Sequence, residues 1–203
     1  MDKKKVIGIT GGAGSGKSEV MKILAGQFGA HIIVADEVAR KLSMPGGRSY
    51  QKIVDYFGGN VLDGSGQIDR GRLAQIVFHD KALLEKLNSF THPIVKEEIL
   101  AEIDRAQKEP MCRLIVIESA IFIGAGYEDI CDEFWLVYTD PDLRRQRMKE
   151  SRGYSDEKVD SIMKNQPDDD LVKKACQRVI INNTTLDDVR AQISEILDDA
   201  GVV

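Results

Sequence analysis

The chain has 203 residues, 42% hydrophobic and 30% charged, the balance of a soluble globular protein built as one compact unit with room for a small appended subdomain. Its net charge of −5, without any Lys/Arg-rich stripe, argues against a nucleic-acid partner. No apolar run approaches the ~20 residues of a membrane-spanning helix, and Cys112, Cys131 and Cys176 form neither a CxxC pair nor a metal spacing, so a cytoplasmic protein with reduced thiols is expected.

After a basic start, Val6–Thr10 reads as a buried strand. Its apolar run breaks at Gly11-Gly12, too early for a signal peptide. The loop that follows satisfies Gly-x-x-x-x-Gly-Lys-Ser in full, from Gly11 to Ser18. Glycines let the backbone wrap close to phosphate groups and turn its N–H groups inward. A helix opening near Lys17 adds the positive end of its dipole. Lys17 is placed to reach the β- and γ-phosphates, and Ser18 offers a hydroxyl to Mg²⁺. The expected nucleotide-binding set here is Gly12, Ala13, Gly14, Ser15, Gly16, Lys17, Ser18 and Glu19. Glu19 is the odd member: an acid suits a first helical turn but lies near bound phosphates, and by pattern it points outward.

A second strand is expected at His31–Val34. Ligands of open α/β sheets gather where strands end, so Asp36 and Arg40 are of interest. Four residues apart, they share one face of a helix. A carboxylate there can take a proton from an attacking hydroxyl, and an arginine one turn on can clamp an anion. The plainer alternative is an N-cap aspartate with an i,i+4 salt bridge. From Asp36 to Met111 the chain is too long for a loop, and Tyr50-Ile53-Val54-Phe57, Leu73-Ile76-Val77 and Ile99-Leu100-Ile103 fall at helical spacing. A helical insertion is expected, with Asp69 capping one helix and Asp63–Asp69 forming a turn rather than a calcium loop. By pattern alone, His92-Pro93 ends one helix and starts the next. His31 and His79 match no motif and read as structural or surface residues.

A third strand at Arg113–Ile117 ends on Glu118, either a Walker-B acid acting on Mg²⁺ or simply an acid at a strand end. Strands at Phe134–Tyr138 and Arg178–Ile181 follow, separated by a charged excursion, Asp140 to Gln177, of two or three short helices punctuated by Gly153 and Pro167. Leu186, Val189, Ile193, Ile196 and Leu197 mark a last helix. The expected fold is α/β, a P-loop NTPase-type parallel five-stranded sheet flanked by helices, with a helical insertion and a helical lid.

The assembly resembles the dephospho-CoA kinase family. "TGGAGSGKS" is similar to that family's opening loop and "ADEVARKL" to its "DADxxAR" segment. "FTHPIV" is similar to its His-Pro motif, "DEFWLVYTDPDLRRQRM" to its fourth strand and lid helix, and "VIINNTT" to its "VIxNNG". The resemblance implies phosphoryl transfer from ATP to the ribose 3′-hydroxyl of dephospho-CoA, with Mg²⁺. It implies Asp36 as general base, Lys17 and Arg147 as further catalytic residues, and Arg40 and His92 as acceptor-holding residues. Among the lid arginines Arg144, Arg145, Arg147 and Arg152, Arg147 ranks first for the phosphates, then Arg144 or Arg152; Asn182 and Asn183 would line the adenine pocket. Ser18 and Glu118 would be the metal residues. The implied layout is a single domain with its core at approximately 1–41, 111–140 and 176–203, an acceptor-binding insertion at 42–110 that takes the pantetheine arm, and a lid at 141–175. ATP and dephospho-CoA are the expected partners, with no nucleic acid and no membrane; the oligomeric state is left open, a monomer included. The chain departs from the family at Glu19, often Thr, at Val34, often Asp, at Ala120–Gly124 in place of "PLLFE", and at Thr184 in place of Gly. The rival readings are another P-loop kinase for a nucleoside or small metabolite, or a nucleotide-dependent switch, although no NKxD-type base-reading segment is present.

Overall fold

The computed structural model describes residues 3–78, 80–119 and 126–202. His79 and the Ala120–Gly124 departure lie outside the described residues. Five strands, β1 (Val6–Thr10), β2 (Ala30–Val34), β3 (Leu114–Glu118), β4 (Glu133–Tyr138) and β5 (Arg178–Ile181), form a sheet in the order β2-β3-β1-β4-β5. β1 pairs in parallel with β3 and β4, and β4 with β5. Of the five strand runs expected from the sequence, Val6–Thr10 and Arg178–Ile181 are unchanged and the other three shift by one residue at one or both ends. Continuous Val/Ile/Leu runs form these strands because both faces of the sheet are covered: every residue of β1 and of β3 is buried.

On one face, Ile7, Ile9, Leu114, Val116, Trp135, Val137 and Ile180 meet Val20, Ile23 and Leu24 of α1 (Lys17–Phe28) and Val189, Ile193 and Leu197 of α9 (Leu186–Asp199). The strand residues alternate and the helix residues recur at three and four, so each element contributes one face to the same core. Fully burying one such aliphatic side chain stabilises the fold by about 1.5–3 kcal/mol. From the central strand β1 the chain leads toward β2, while from neighbouring β4 it leads toward β5 on the other side. The two departing loops therefore diverge, and the crevice at their carboxyl ends is where such sheets place ligands.

The charged excursion is three helices, α6 (Pro141–Arg152), α7 (Asp156–Lys164) and α8 (Asp169–Ala175). Gly153, at φ 62, closes α6 in the left-handed conformation that glycine adopts without strain.

Chain contacts divide the molecule into two compact units, one running up to Ile33 and from Arg105 onward, the other Val34–Asp104. The second holds α2 (Ala35–Leu42), α3 (Tyr50–Phe57), a 3-10 turn at Gly59–Val61, α4 (Arg70–Phe78) and most of α5 (Lys81–Gln107). Its own core is Ile53, Val61, Leu73 and Val77, with Phe57, Ile76, Leu83, Leu87 and Phe90 packed against them. Asp63 to Asp69 is the expected turn: Asp63 Oδ1 accepts from Ser65 N (2.8 Å), Ser65 Oγ (2.7 Å) and Gln67 N (3.0 Å). Asp69 caps α4 by accepting from Arg72 N at 3.0 Å.

One boundary is corrected. His92-Pro93 does not end a helix; α5 runs unbroken from Lys81 to Gln107 with Pro93 inside it. A proline there removes the bond its N–H would make to the preceding turn and costs about 3 kcal/mol. Burial on both sides holds the helix together: Leu83, Leu87 and Phe90 pack on the insertion core before the proline, and Ile94, Val95, Ile99 and Ile103 are buried after it.

Candidate active site

The phosphate loop spans the gap between β1 and α1. Ser15 N donates to Gly12 O at 3.1 Å, which closes the loop's turn, and Gly16 then leads into the helix at φ 87. No side chain caps α1 at Gly16, so its first N–H groups are left to an incoming anion. Lys17 folds back over the loop, donating from Nζ to Gly11 O at 2.6 Å and to Gly12 O at 3.5 Å. The same ammonium lies 3.8 Å from Glu118 Oε1. The register accounts for that proximity, since Glu118 stands opposite Ile9 where β1 ends. Ser18 is exposed at the helix start. Glu19 turns outward, as its pattern suggested, and pairs with Lys22 at 2.7 Å.

Groups from the ends of β4 and β5 and from α6 brace this loop. Thr139, fully buried, has its Oγ1 3.0 Å from both Ser15 O and Asn182 O. Asn182 Nδ2 donates to Ser15 O at 2.8 Å. A Cβ on Gly16 would fall 2.2 Å from that Nδ2, so the loop and Asn182 approach as closely as glycine allows. Asn183 Oδ1 accepts from Asp140 N at 2.9 Å. Arg147 donates from Nη2 to Asn182 O at 3.0 Å and from Nη1 to Thr139 Oγ1 at 3.3 Å. Arg144 is buried and donates to Ala13 O at 3.1 Å. The other two arginines of the charged excursion are engaged within it, Arg145 with Asp160 at 2.6 Å and Arg152 over the Tyr154 ring at 5.9 Å. His31 Nδ1 lies 3.8 Å from Glu109 Oε2, a structural contact.

Asp36, Arg40 and His92 all belong to the second unit, and all three are exposed. α2 is capped by Val34, so Asp36 lies inside its first turn rather than at the N-cap, and among the described residues no ion pair joins it to Arg40. Both halves of the plainer alternative therefore fail, and the carboxylate faces solvent.

Sequence reasoning missed Thr139, Gln166 and Asp169. Thr139 carried a usable signal, because it directly follows β4 and the strand-end rule that singled out Asp36 and Glu118 applies to it equally. Gln166 and Asp169 carried none.

A loop of this kind after the central strand of a parallel sheet, with a carboxylate closing the adjacent strand, places the chain among the P-loop nucleotide-binding proteins. The fold agrees: a shikimate kinase from Bacteroides thetaiotaomicron, only 14% identical, superposes with a TM-score of 0.51 over 97% of this chain and 98% of that one. The profile of the family described as dephospho-CoA kinase matches residues 5–188. The dephospho-CoA kinase of Carboxydothermus hydrogenoformans is 39% identical over 95% of this chain and 92% of that protein. Its counterpart from Geobacillus kaustophilus is 35% identical over 94% of each. A crystal structure from Thermus thermophilus superposes with a TM-score of 0.84 at 26% identity, covering 98% of both chains. A dephospho-CoA kinase from Campylobacter jejuni gives 0.61 at 25% identity, covering 97% of both. The chain belongs to the dephospho-CoA kinase family.

Proposed function

We propose that this chain transfers the γ-phosphoryl group of ATP to the ribose 3′-hydroxyl of dephospho-CoA, giving CoA, in the cytoplasm and with Mg²⁺. The observation that carries the reading is the family match over residues 5–188, which takes in the phosphate loop, Asp36, Arg40 and His92 together.

The loop amides and the start of α1 hold the β- and γ-phosphates. Lys17 exchanges its carbonyl partners for phosphate oxygens, a gain because a charge-assisted bond to an anion is roughly twice as strong as one between neutral groups. The Ser18 hydroxyl and the Glu118 carboxylate are both oxygen donors, which a hard dication takes, and they would hold Mg²⁺. When bound, the ion neutralises charge on the β- and γ-phosphate oxygens. Asp36 accepts the proton of the 3′-hydroxyl as that oxygen attacks, while Arg40 and His92 hold the acceptor and the 42–110 insertion receives its pantetheine arm. Arg147, anchored on the turn after β5, supplies positive charge to the transferring group. Asn182 and Asn183 lie beside the adenine, Asn182 also bracing the loop. The 141–175 segment acts as a lid that excludes water, the competing acceptor.

Incubation with ATP, Mg²⁺ and dephospho-CoA, followed by chromatography, should show CoA and ADP in equal amounts. No CoA, with turnover on another nucleoside or small alcohol, would assign the fold to a different kinase.

A further inference from the structure

We propose that Asp169 and Gln166 are positioning residues for nucleotide binding: they hold the buried Arg144 guanidinium against the Gly12–Ala13 segment and so fix the shape of the phosphate loop. The inference rests on the nucleotide site proposed above, but not on the identity of the acceptor.

Arg144 sits in the first turn of α6 and is 3% exposed. Its guanidinium is engaged on every nitrogen. Nε donates to Ala13 O at 3.1 Å, Nη1 to the two Asp169 oxygens at 3.1 and 3.0 Å, and Nη2 to Gln166 Oε1. The group lies against the loop backbone, since a Cβ on Gly12 would fall 2.1 Å from Nη2 and 2.3 Å from Cζ. With its donors directed at protein groups, Arg144 acts on a nucleotide through the loop.

A buried cation is tolerated only when a counter-charge and hydrogen-bond acceptors accompany it. Asp169 supplies the charge, and Ala13 and Gln166 supply the remaining acceptors. If Asp169 is removed, the guanidinium turns toward water and the Ala13 carbonyl loses its donor. A trans peptide points its N–H opposite to its C=O. Tying down the Ala13 carbonyl therefore fixes the direction of the next N–H, that of Gly14, in a loop that works by aiming its amides. Asp169 is available for this because α8 is capped by a different carboxylate, Asp168, which accepts from Asp170 N at 2.8 Å and Leu171 N at 3.3 Å. Neither Asp169 nor Gln166 belongs to the phosphate-loop motif.

The test titrates ATP with Mg²⁺ onto the full chain without acceptor and reads the dissociation constant. Asp169→Ala should weaken ATP binding by about tenfold, the size of effect a lost hydrogen bond to a charged group produces, and Gln166→Ala by less. Asp169→Asn keeps an oxygen acceptor and should recover part of the loss. Dephospho-CoA binding, titrated separately, should stay within twofold in all three variants. Asp168→Ala removes the α8 cap without touching Arg144; it should lower the melting temperature yet leave ATP affinity within twofold. Wild-type ATP affinity in Asp169→Ala, or an equal loss in Asp168→Ala, overturns the proposal. A protein that binds ATP as described but makes no CoA leaves this inference standing and defeats only the choice of acceptor.

Discussion

In the proposed reaction Asp36 takes the proton of the attacking hydroxyl, and its setting makes that role testable. The side chain is exposed in the first turn of α2 and no hydrogen bond or ion pair holds it among the described residues. Asp36→Asn keeps its shape and removes only the capacity to take a proton. The variant should melt with the wild type and bind ATP with unchanged affinity, while kcat falls by roughly 10²- to 10⁴-fold, the usual contribution of a positioned general base. A near-normal kcat would remove Asp36 from that role. Gly16 poses the opposite problem, because its demands are steric. It adopts φ 87, and an added Cβ would lie 2.2 Å from Asn182 Nδ2. Gly16→Ala must strain the backbone and also push Asn182 off Ser15 O. Strain at such a position is on the order of 1–3 kcal/mol, so both thermal stability and ATP affinity should drop; unchanged melting would mean the loop relaxes freely.

At the scale of elements, helix ends are closed by side chains far away in sequence or by compact local boxes. Lys4, just before β1, donates from Nζ to the carbonyls of Ala106 (2.8 Å), Gln107 (2.8 Å) and Glu109 (2.6 Å), satisfying acceptors that the end of α5 leaves open. The free edge of β5 is guarded similarly: the Gln192 amide accepts from Ile181 N and donates to Ile181 O, both at 2.9 Å, as a neighbouring strand would. The N-terminus of α9 carries a capping box, in which Thr185 Oγ1 accepts from Asp188 N at 3.2 Å and Asp188 Oδ2 accepts from Thr185 N at 3.2 Å. Thr185→Ala should cost about 1 kcal/mol in denaturant melts. Hydrogen bonds from Thr184 and then Thr185 hold the Asp188 carboxyl below its ordinary value. A carboxyl depressed in the native state contributes stability above the unfolded value, about 3.9, and that contribution is lost as pH falls through the lower native value. The melting-temperature difference between wild type and Asp188→Asn should therefore be full near neutrality and close in acid. A gap that does not change with pH would show that the charge is not what the box uses.

For the whole molecule, what could be read from the sequence follows how local the determining physics is. The phosphate loop and the strand runs announce themselves within a few residues, through glycine spacing and unbroken apolar stretches. Asp69 reads as a cap for the same reason. The bracing of the loop does not, because Thr139 reaches Ser15 across 124 positions and Arg144 reaches Ala13 across 131, distances at which spacing carries no information. His92-Pro93 misleads for a related reason: local chemistry favours a break, and only packing from residues on both sides overrules it. The same long-range burial sets the reactivity of the thiols and so provides a probe of the fold as a unit. Burial, reinforced by Asp132, Glu128 and Asp129, pushes the Cys131 thiol up to about 12, and burial alone takes Cys176 up to about 11. Since the thiolate is the reactive form, labelling of both at pH 8 should be roughly 10²- to 10³-fold slower than for an ordinary cysteine near 8.5. Denaturant should release all three free thiols of the chain. All three lie in the unit that runs from Arg105 onward, whereas far-UV circular dichroism follows the helices of both units. The boundary between the units falls inside α5, between Asp104 and Arg105, so the helix runs continuously from one unit into the other. The midpoints of thiol labelling and of circular dichroism should therefore coincide, the signature of one cooperative transition. A dichroism change that precedes labelling would show the Val34–Asp104 unit unfolding on its own.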